Sequence, residues 1–471
     1  MDDKKSRNKK QLIKGTLIYA IGNLGTKIIS FLIVPLYTYF ILPADMGDYD
    51  IVITTVSLLT PLITMRISDA AYRWMLHKID KEENCISATY RVILTSTILA
   101  ALVLLGINAV IPIKYYGFFI ALLVCGRWLE SLQVLLRGLR RQSLFALTGV
   151  LYTAIYVTLN LIFIAWLKKG VTSLFVSTII SQIIVISIIL AAEPRLRQRV
   201  LRTSENMELT KSMLLYSAPL VPSGLSWWVM GASDRYVIRF LLGSASTGIY
   251  SVANKFPTIV STLFVIFNNS WTDIAIGNLK EGKETEDYTS ELFRQLYELS
   301  FGFVLFLIPA TKLVTNLVLS KSYKGASTYI SFLYLGSIFQ GFTTFISAGM
   351  LQGTKTAKIA QSSIKGAVVN FVIDILFISR IGIYAASIST FAGYFVMWLS
   401  RMKDTKEITP VHIEKKRFIP LFLVSIVYAA ASIFTGEVLD IGMMLIGLIV
   451  FVLLNRSKLT VILKKGVKRR R

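Results

Sequence analysis

Cysteine is scarce. Cys85 and Cys125 are the only two in 471 residues, they fall in different segments, and they lack metal-ligand spacing, so neither a disulfide framework nor a zinc site is implied. Acid is scarce as well: 27 Asp and Glu stand against 51 Lys and Arg, and all charged residues together make up 17% of the chain. That minority is bunched between long apolar runs, whereas a soluble helix alternates charge with hydrophobicity on its surface. No glycine-rich nucleotide loop is present, so direct drive by ATP would require a partner chain. Few paired carboxylates stand on the short segments between runs, which argues against a membrane enzyme.

What the chain has in excess is hydrophobicity. Hydrophobic residues are 54% of it and mean hydropathy is +0.61, above the roughly 45–50% of soluble proteins. About 20 apolar residues in a helix cross a ~30 Å hydrocarbon core. Fourteen stretches meet that length: 15–41, 49–70, 92–111, 117–136, 144–166, 171–191, 212–232, 246–270, 294–318, 326–350, 363–380, 381–400, 418–436 and 440–456. The first lacks a small-residue cleavage site and reads as a retained span kinked at Pro35. The fold class is therefore an all-α polytopic membrane protein.

The net charge of +24 is explained by topology. With the N-terminus inside and residues near span ends counted with the adjoining segments, 39 of the 51 Lys and Arg fall on the cytoplasmic side and 9 on the outer side, leaving Lys27, Arg127 and Lys255 deeper within spans. Positive loops stay cytoplasmic, so both termini are expected inside. The tail Arg456–Arg471 suits anionic lipid headgroups, and no nucleic-acid partner is called for.

Three short matches recur in order along the chain. Leu42-Pro-Ala-Asp-Met-Gly47-Asp-Tyr49 answers to Leu242-Gly-Ser-Ala-Ser-Thr-Gly248-Ile-Tyr250, Leu135-Leu136-Arg137-Gly138 to Met350-Leu351-Gln352-Gly353, and Gly170-Val171 with Ser177-Thr178 to Gly382-Ile383 with Ser389-Thr390. Their offsets of 201, 215 and 212 residues predict two six-helix lobes, 1–191 and 212–400, joined by a cytoplasmic linker, 192–211. An even number of helices relates the lobes by an axis along the membrane normal, an arrangement that encloses a cleft. Residues 401–456 add a helix pair, and 457–471 form the basic tail.

Charges inside spans are costly and normally face protein or water. Arg66, Asp69 and Arg73 are spaced to share one face of the second span, and Arg127, Glu130 and Arg137 one face of the fourth, with Gln133 between. Lys27 and Lys255 add two further cations, and Asp234, Arg235 and Arg239 lie towards the outer end of the seventh span. An excess of cations in a membrane cavity fits an anion, and guanidinium fits phosphate oxygens. The alternative is internal pairing, Arg66 with Asp69 and Arg127 with Glu130. Asp374 and Asn370, one turn apart, fit either ion coupling or a buried hydrogen-bonded pair. His77 reads as a solvated loop residue, and Asn268 with Asn269 as the end of the eighth helix.

The stretch from Ile18 to Trp74, with YTYFILPADMGDYDIV and RISDAAYRW, resembles the opening of the polysaccharide repeat-unit flippases. These are the O-antigen and capsule transporters of the multidrug/oligosaccharidyl-lipid/polysaccharide exporter superfamily. SDRYVIRFLLGSASTGIYSVANKFPTIVSTLF and the following NNSWTD, from Ser233 to Asp273, are similar to the signature of the second half, and together the resemblance covers roughly the first 400 residues. It implies two six-helix lobes around a cavity that opens alternately to each face of the bacterial cytoplasmic membrane. The implied cargo is an undecaprenyl-diphosphate-linked oligosaccharide, handed on to polymerase machinery.

On that reading Arg66, Arg73, Arg127, Lys27, Lys255 and Arg235 line a cationic substrate cavity. Asp69, Glu130, Asp234 and Asp374 are candidates for gating or for coupling to a proton or sodium gradient, with no other cofactor and no metal site. The extra pair 418–456 departs from the commonest twelve-span form and leaves a lipid II-type flippase open. A multidrug or cation exporter of the same superfamily fits less well, since a cation favours an acidic cavity.

Overall fold

The computed structural model describes residues 29, 31–199, 206–278, 283–352, 356–406 and 411–456. Lys27, most of the first expected span and the basic tail lie outside them. The described residues are mostly helical, with no strand among them. Ten helices are long and apolar enough to cross a membrane, and a bent pair, 207–255 with 257–268, makes an eleventh when counted as one span. Of the fourteen expected spans, the seventh and eighth fall in that bent pair and the eleventh forms a helix carrying Lys365, Asp374 and Arg380 along its length.

The chain divides into two compact units, 1–228 and 229–471. This division lies beyond the expected linker, inside the long helix of the seventh span. Unit 1 contains α1 (Val34–Phe40), α2 (Pro43–Thr64), α3 (Ile67–Leu76), α4 (Glu82–Val110), α5 (Tyr116–Gly138), α6 (Gln142–Asn160), α7 (Thr172–Ala192), α8 (Pro194–Arg199), α9 (Met207–Ser217) and the start of α10 (Val221–Lys255). Pro35 stands in the first turn of α1, just after a break at Ile33. Pro43 opens α2, where its missing N–H costs no helical hydrogen bond.

The core of unit 1 gathers Ile67, Ala70, Ala71 and Met75 of α3 against Cys85, Ile86 and Tyr90 of α4, Leu132, Leu135 and Leu136 of α5, and Ile189 of α7. Gly138 lets α5 approach α3, since a Cβ there would lie 2.9 Å from the Met75 sulfur. The outer face of α4 exposes Leu94, Ile98, Leu99, Leu102, Val103 and Leu105. A soluble helix would not leave such a stripe bare; a lipid-facing one does.

Unit 2 contains the rest of α10, α11 (Pro257–Asn278), α12 (Lys283–Val318), α13 (Ala326–Gln352), α14 (Thr356–Ile381), α15 (Ile383–Thr405), α16 (Lys415–Phe434) and α17 (Glu437–Leu454). Gly243, at φ 84°, breaks α10 where an L side chain would be strained. The core is aromatic: Phe339 packs against Phe301, Phe342, Phe395, Trp398 and Phe422, joining α12, α13, α15 and α16. Small residues bring helices together as membrane packing requires. A Cβ on Gly447 of α17 would lie 2.5 Å from the Leu305 carbonyl of α12, and Cβ atoms on Gly366 and Gly393 would each meet the other's carbonyl at 2.9 Å. Gly170 and Gly382, the third matched pair of the sequence, share a positive φ (62° and 64°) immediately before α7 and α15.

Candidate functional site

In unit 1 the second span is not one helix. Pro61 removes a backbone donor near the end of α2, and Met65 and Arg66 then adopt left-handed conformations, φ 48° and 55°, before α3 begins. Two successive non-glycine residues in that region carry strain of the kind found at functional sites. Arg66 therefore does not share a helical face with Asp69 and Arg73, as the spacing suggested. It sits at the N-cap of α3 and bonds Asp69 Oδ2 through Nε at 2.7 Å. Arg73 leaves this group altogether, its guanidinium lying 4.5 Å over the Tyr216 ring. Arg137 is likewise placed over Tyr72 and Phe145.

Arg127 has a different environment. It is 4% exposed, donates Nη1 to the Val56 carbonyl at 3.2 Å, and its Nε has no hydrogen-bond partner. The expected pairing with Glu130 is absent, since Arg127 forms no ion pair within 4.0 Å among the described residues. Glu130 instead keeps an exposed side chain in the electrostatic reach of Arg127, Asp69 and Arg66. Ser68 and Ser131, bonded at 3.0 Å, join α3 to α5 beside it. Two guanidinium groups and two carboxylates of the predicted set are thus brought together. One cation among them is buried with an unused donor.

Unit 2 holds a second polar cluster. Asp234 accepts from the Tyr250 hydroxyl and lies 3.6 Å from Arg235, which also donates to Gly231 O at 2.6 Å. Arg235 is thereby matched to an acid. Asp374 is fully buried; Ser389 donates to its Oδ1 at 2.6 Å, while its Oδ2 has no partner. Asn370 donates to Ser389 at 3.1 Å, so Asn370 and Asp374 are joined through a serine hydroxyl. Asp374 and Asp234 also interact electrostatically. Lys255 belongs to this unit but ends α10 with an exposed side chain, a placement that complements the helix dipole.

Several expectations are corrected. Asn268 does not end a helix: α11 continues to Asn278, and the buried Asn268 amide donates to the Gly341 carbonyl at 3.3 Å. Asp234, Arg235 and Arg239 lie on α10 before its break at Gly243. His77 caps α3 with an exposed side chain, as expected. Lys312, counted by charge with the outer segments, is buried within α12 and paired with Asp440 at 3.1 Å. Arg401 is also buried, at 1% exposure, and was legible only as a basic residue at a helix end.

At the end of α7 Glu193 is 1% exposed and accepts from Arg141 and Arg195, each at 2.8 Å. The two guanidinium groups, Arg195 foremost, hold its carboxyl below the usual range. Arg195 reaches on to Glu82 at 2.8 Å, so four segments of unit 1 meet at one charged node.

Residues 12–271, more than half of the chain, match the family described as "Polysaccharide biosynthesis protein". An uncharacterized membrane protein of Methanocaldococcus jannaschii, MJ1068, is 25% identical over 256 residues, 50% of this chain and 49% of that protein; the match thus spans about half of the relative's length. Among solved structures, the lipid II flippase MurJ in an inward closed conformation superposes with a TM-score of 0.70 at 13% identity, covering 94% of this chain and 100% of that one. A Vibrio cholerae MATE transporter, VcmN, gives 0.56 at 17% identity over 85% and 98%. An inward-facing multidrug resistance MATE transporter of the MOP superfamily gives 0.61 at 16% identity over 88% and 98%. At these identities the likeness is one of fold.

Proposed function

Because the chain belongs to the polysaccharide biosynthesis protein family and has the fold of the MOP-superfamily transporters, we propose that it is a flippase for lipid-linked saccharide. Its cargo is an undecaprenyl-diphosphate-linked oligosaccharide repeat unit, moved from the inner to the outer leaflet of the bacterial cytoplasmic membrane by alternating access. Both termini face the cytoplasm on this reading, and the basic tail rests on anionic headgroups. Polymerase machinery consumes the product outside.

The observation that carries this is Arg127. A buried guanidinium without an ion-pair partner is expensive to keep, and an unused Nε donor beside it is chemistry that a diphosphate oxygen completes. Arg66 supplies the second cation, while Asp69 and Glu130 compete for both and release them when phosphate enters. Arg73 belongs to the cytoplasmic approach in this scheme. The buried pair Asp234 and Asp374, with Asn370 and Ser389, serves as the coupling site for a proton or sodium gradient.

Depleting the protein and measuring the leaflet that holds undecaprenyl-diphosphate-linked oligosaccharide tests this. Accumulation on the cytoplasmic side is expected. Single repeats collecting outside would instead identify a polymerase step, and an unchanged lipid-linked pool would move the assignment to drug efflux. The likeness to the lipid II flippase favours one second reading, lipid II as cargo. Supplying lipid II and the oligosaccharide lipid in parallel to proteoliposomes separates the two.

A further inference from the structure

A third group of polar residues lies in unit 1, apart from the arginines. Tyr37 of α1 donates to the Tyr156 hydroxyl of α6 at 3.0 Å. Tyr49 of α2 lies 3.5 Å from the Thr178 hydroxyl of α7 and within electrostatic reach of Tyr156. Tyr152 stacks on Tyr156, ring centroids 6.1 Å apart and 6° from parallel. Four helices thus converge on a neutral cluster of phenol and alcohol groups.

The cluster is not sealed. Tyr49, Tyr152 and Tyr156 are half-buried, so part of each side chain stays open to a ligand. Two fully buried polar atoms on the same helices, α6 and α7, have no partner: Asn160 Oδ1, one turn beyond Tyr156, and Ser177 Oγ, which precedes Thr178 in the chain. Directly after Asn160 the helix widens into a π-helical turn, Leu161–Trp166. Such turns are unfavourable and recur at functional sites. Lys114 at the neighbouring loop is already paired with Asp48. The group therefore offers hydroxyls, a carboxamide and flat aromatic faces rather than free cations.

Diphosphate is poorly matched to such a surface, and saccharide is well matched. Sugar hydroxyls both donate and accept, as do phenols and alcohols, and the C–H face of a pyranose lies against aromatic rings. We infer that Tyr37, Tyr49, Tyr152, Tyr156 and Asn160 form a glycan subsite in unit 1, which binds the saccharide part of the cargo separately from the diphosphate at Arg127. The inference rests on the flippase reading for its cargo, and adds a division of labour. The cations recognise what all lipid-linked substrates share, and the tyrosine cluster recognises what differs among them.

Two readouts test it on the full-length protein. In proteoliposomes, transport is compared for undecaprenyl diphosphate carrying one sugar and carrying a complete oligosaccharide. Tyr156→Phe and Tyr49→Phe each delete a hydroxyl and keep the ring, so each should slow the oligosaccharide cargo about three- to tenfold more than the single-sugar cargo, the effect of about one hydrogen bond. Arg127→Gln should slow both equally. Equal slowing of both cargoes by the tyrosine variants, or no slowing, overturns the subsite.

Saturation-transfer NMR with a free neutral tetrasaccharide supplies the second readout, independent of transport. Transfer from aromatic protons is expected in the wild type and should fall severalfold in the Tyr49→Phe/Tyr156→Phe variant, with the melting temperature unchanged. Transport of both cargoes without any saturation transfer overturns the subsite and leaves the flippase reading standing. Saturation transfer without transport of either cargo supports the subsite and removes the flippase reading.

Discussion

Lys312 and Asp440 meet 3.1 Å apart inside unit 2, with side chains 10% and 0% exposed. The ammonium group also donates to the Ser432 and Thr435 carbonyls at 2.7 and 2.5 Å, and Thr435 donates to Asp440 at 2.5 Å. Lys312 of α12 is thereby fixed to the turn between α16 and α17, the last two described helices. Removing one partner of a buried pair strands the other charge, at a cost of about 3–5 kcal/mol.

Lys312→Met should therefore lower the melting temperature of the detergent-solubilised protein strongly. The double variant Lys312→Met/Asp440→Leu should recover much of the loss, because neither charge then remains buried. A double variant as unstable as the single one would show that packing of the turn, and not the charge pair, holds α16 and α17.

The hydrophobic runs made the helices and their membrane setting legible, because hydrocarbon imposes one length and one composition on every span. The breaks were harder to read. The left-handed pair at Met65 and Arg66 has no glycine to announce it, and so a spacing of three residues suggested a helical face that the backbone does not provide. Gly243 could have been read as a turn, yet its neighbours are helical on both sides. At the site, Arg66, Asp69, Arg127 and Glu130 were accessible from sequence because charge in an apolar run stands out. The tyrosine cluster was not, since its tyrosines come from three segments and tyrosine is unremarkable in any one of them.

Arg401 provides the next test. Its guanidinium donates to Ser362 Oγ and Ser363 Oγ at 2.9 Å, to the Thr343 and Ile359 carbonyls at 3.2 and 3.3 Å, and to Ser347 Oγ. All five acceptors are neutral, and they lie on α13 and α14 while Arg401 lies on α15. Lysine has the charge but not the planar fork that spans them. Arg401→Lys should thus destabilise unit 2, with each stranded polar partner costing about 1–3 kcal/mol. Thermal melts of the purified protein check this, and a lysine variant as stable as wild type would refute the clamp.

Glu193 makes stability depend on pH. Its carboxyl is held below its ordinary range by Arg195 and Arg141, so the folded state binds a proton less readily than the unfolded chain. The resulting stability is fully present above the ordinary carboxylate range and is lost as pH falls through the lowered folded value. Glu193→Gln removes this dependence. Melting temperatures of wild type and Glu193→Gln, followed from about pH 7 to about pH 2, below the ordinary carboxylate range, should differ most at neutral pH and converge towards acid. Parallel curves would place the acid sensitivity elsewhere.

Arg127 separates a structural from a functional charge. If its role were to hold α5 to α2 through the Val56 carbonyl, replacement would lower both stability and export. Its environment argues otherwise: one neutral acceptor at 3.2 Å, an unused Nε and 4% exposure describe a charge that the fold tolerates rather than uses. A buried charge without an ion-pair partner carries a desolvation penalty that an apolar side chain of similar length avoids, and sites kept for function commonly lower stability. Arg127→Met should therefore leave the melting temperature unchanged or raise it while export of lipid-linked oligosaccharide falls at least about tenfold, the loss of one charge-assisted contact. Arg127→Lys should fall between them, since it restores charge without the second donor. Normal export with a lowered melting temperature would assign Arg127 to the scaffold and leave Arg66 as the cation that meets the substrate.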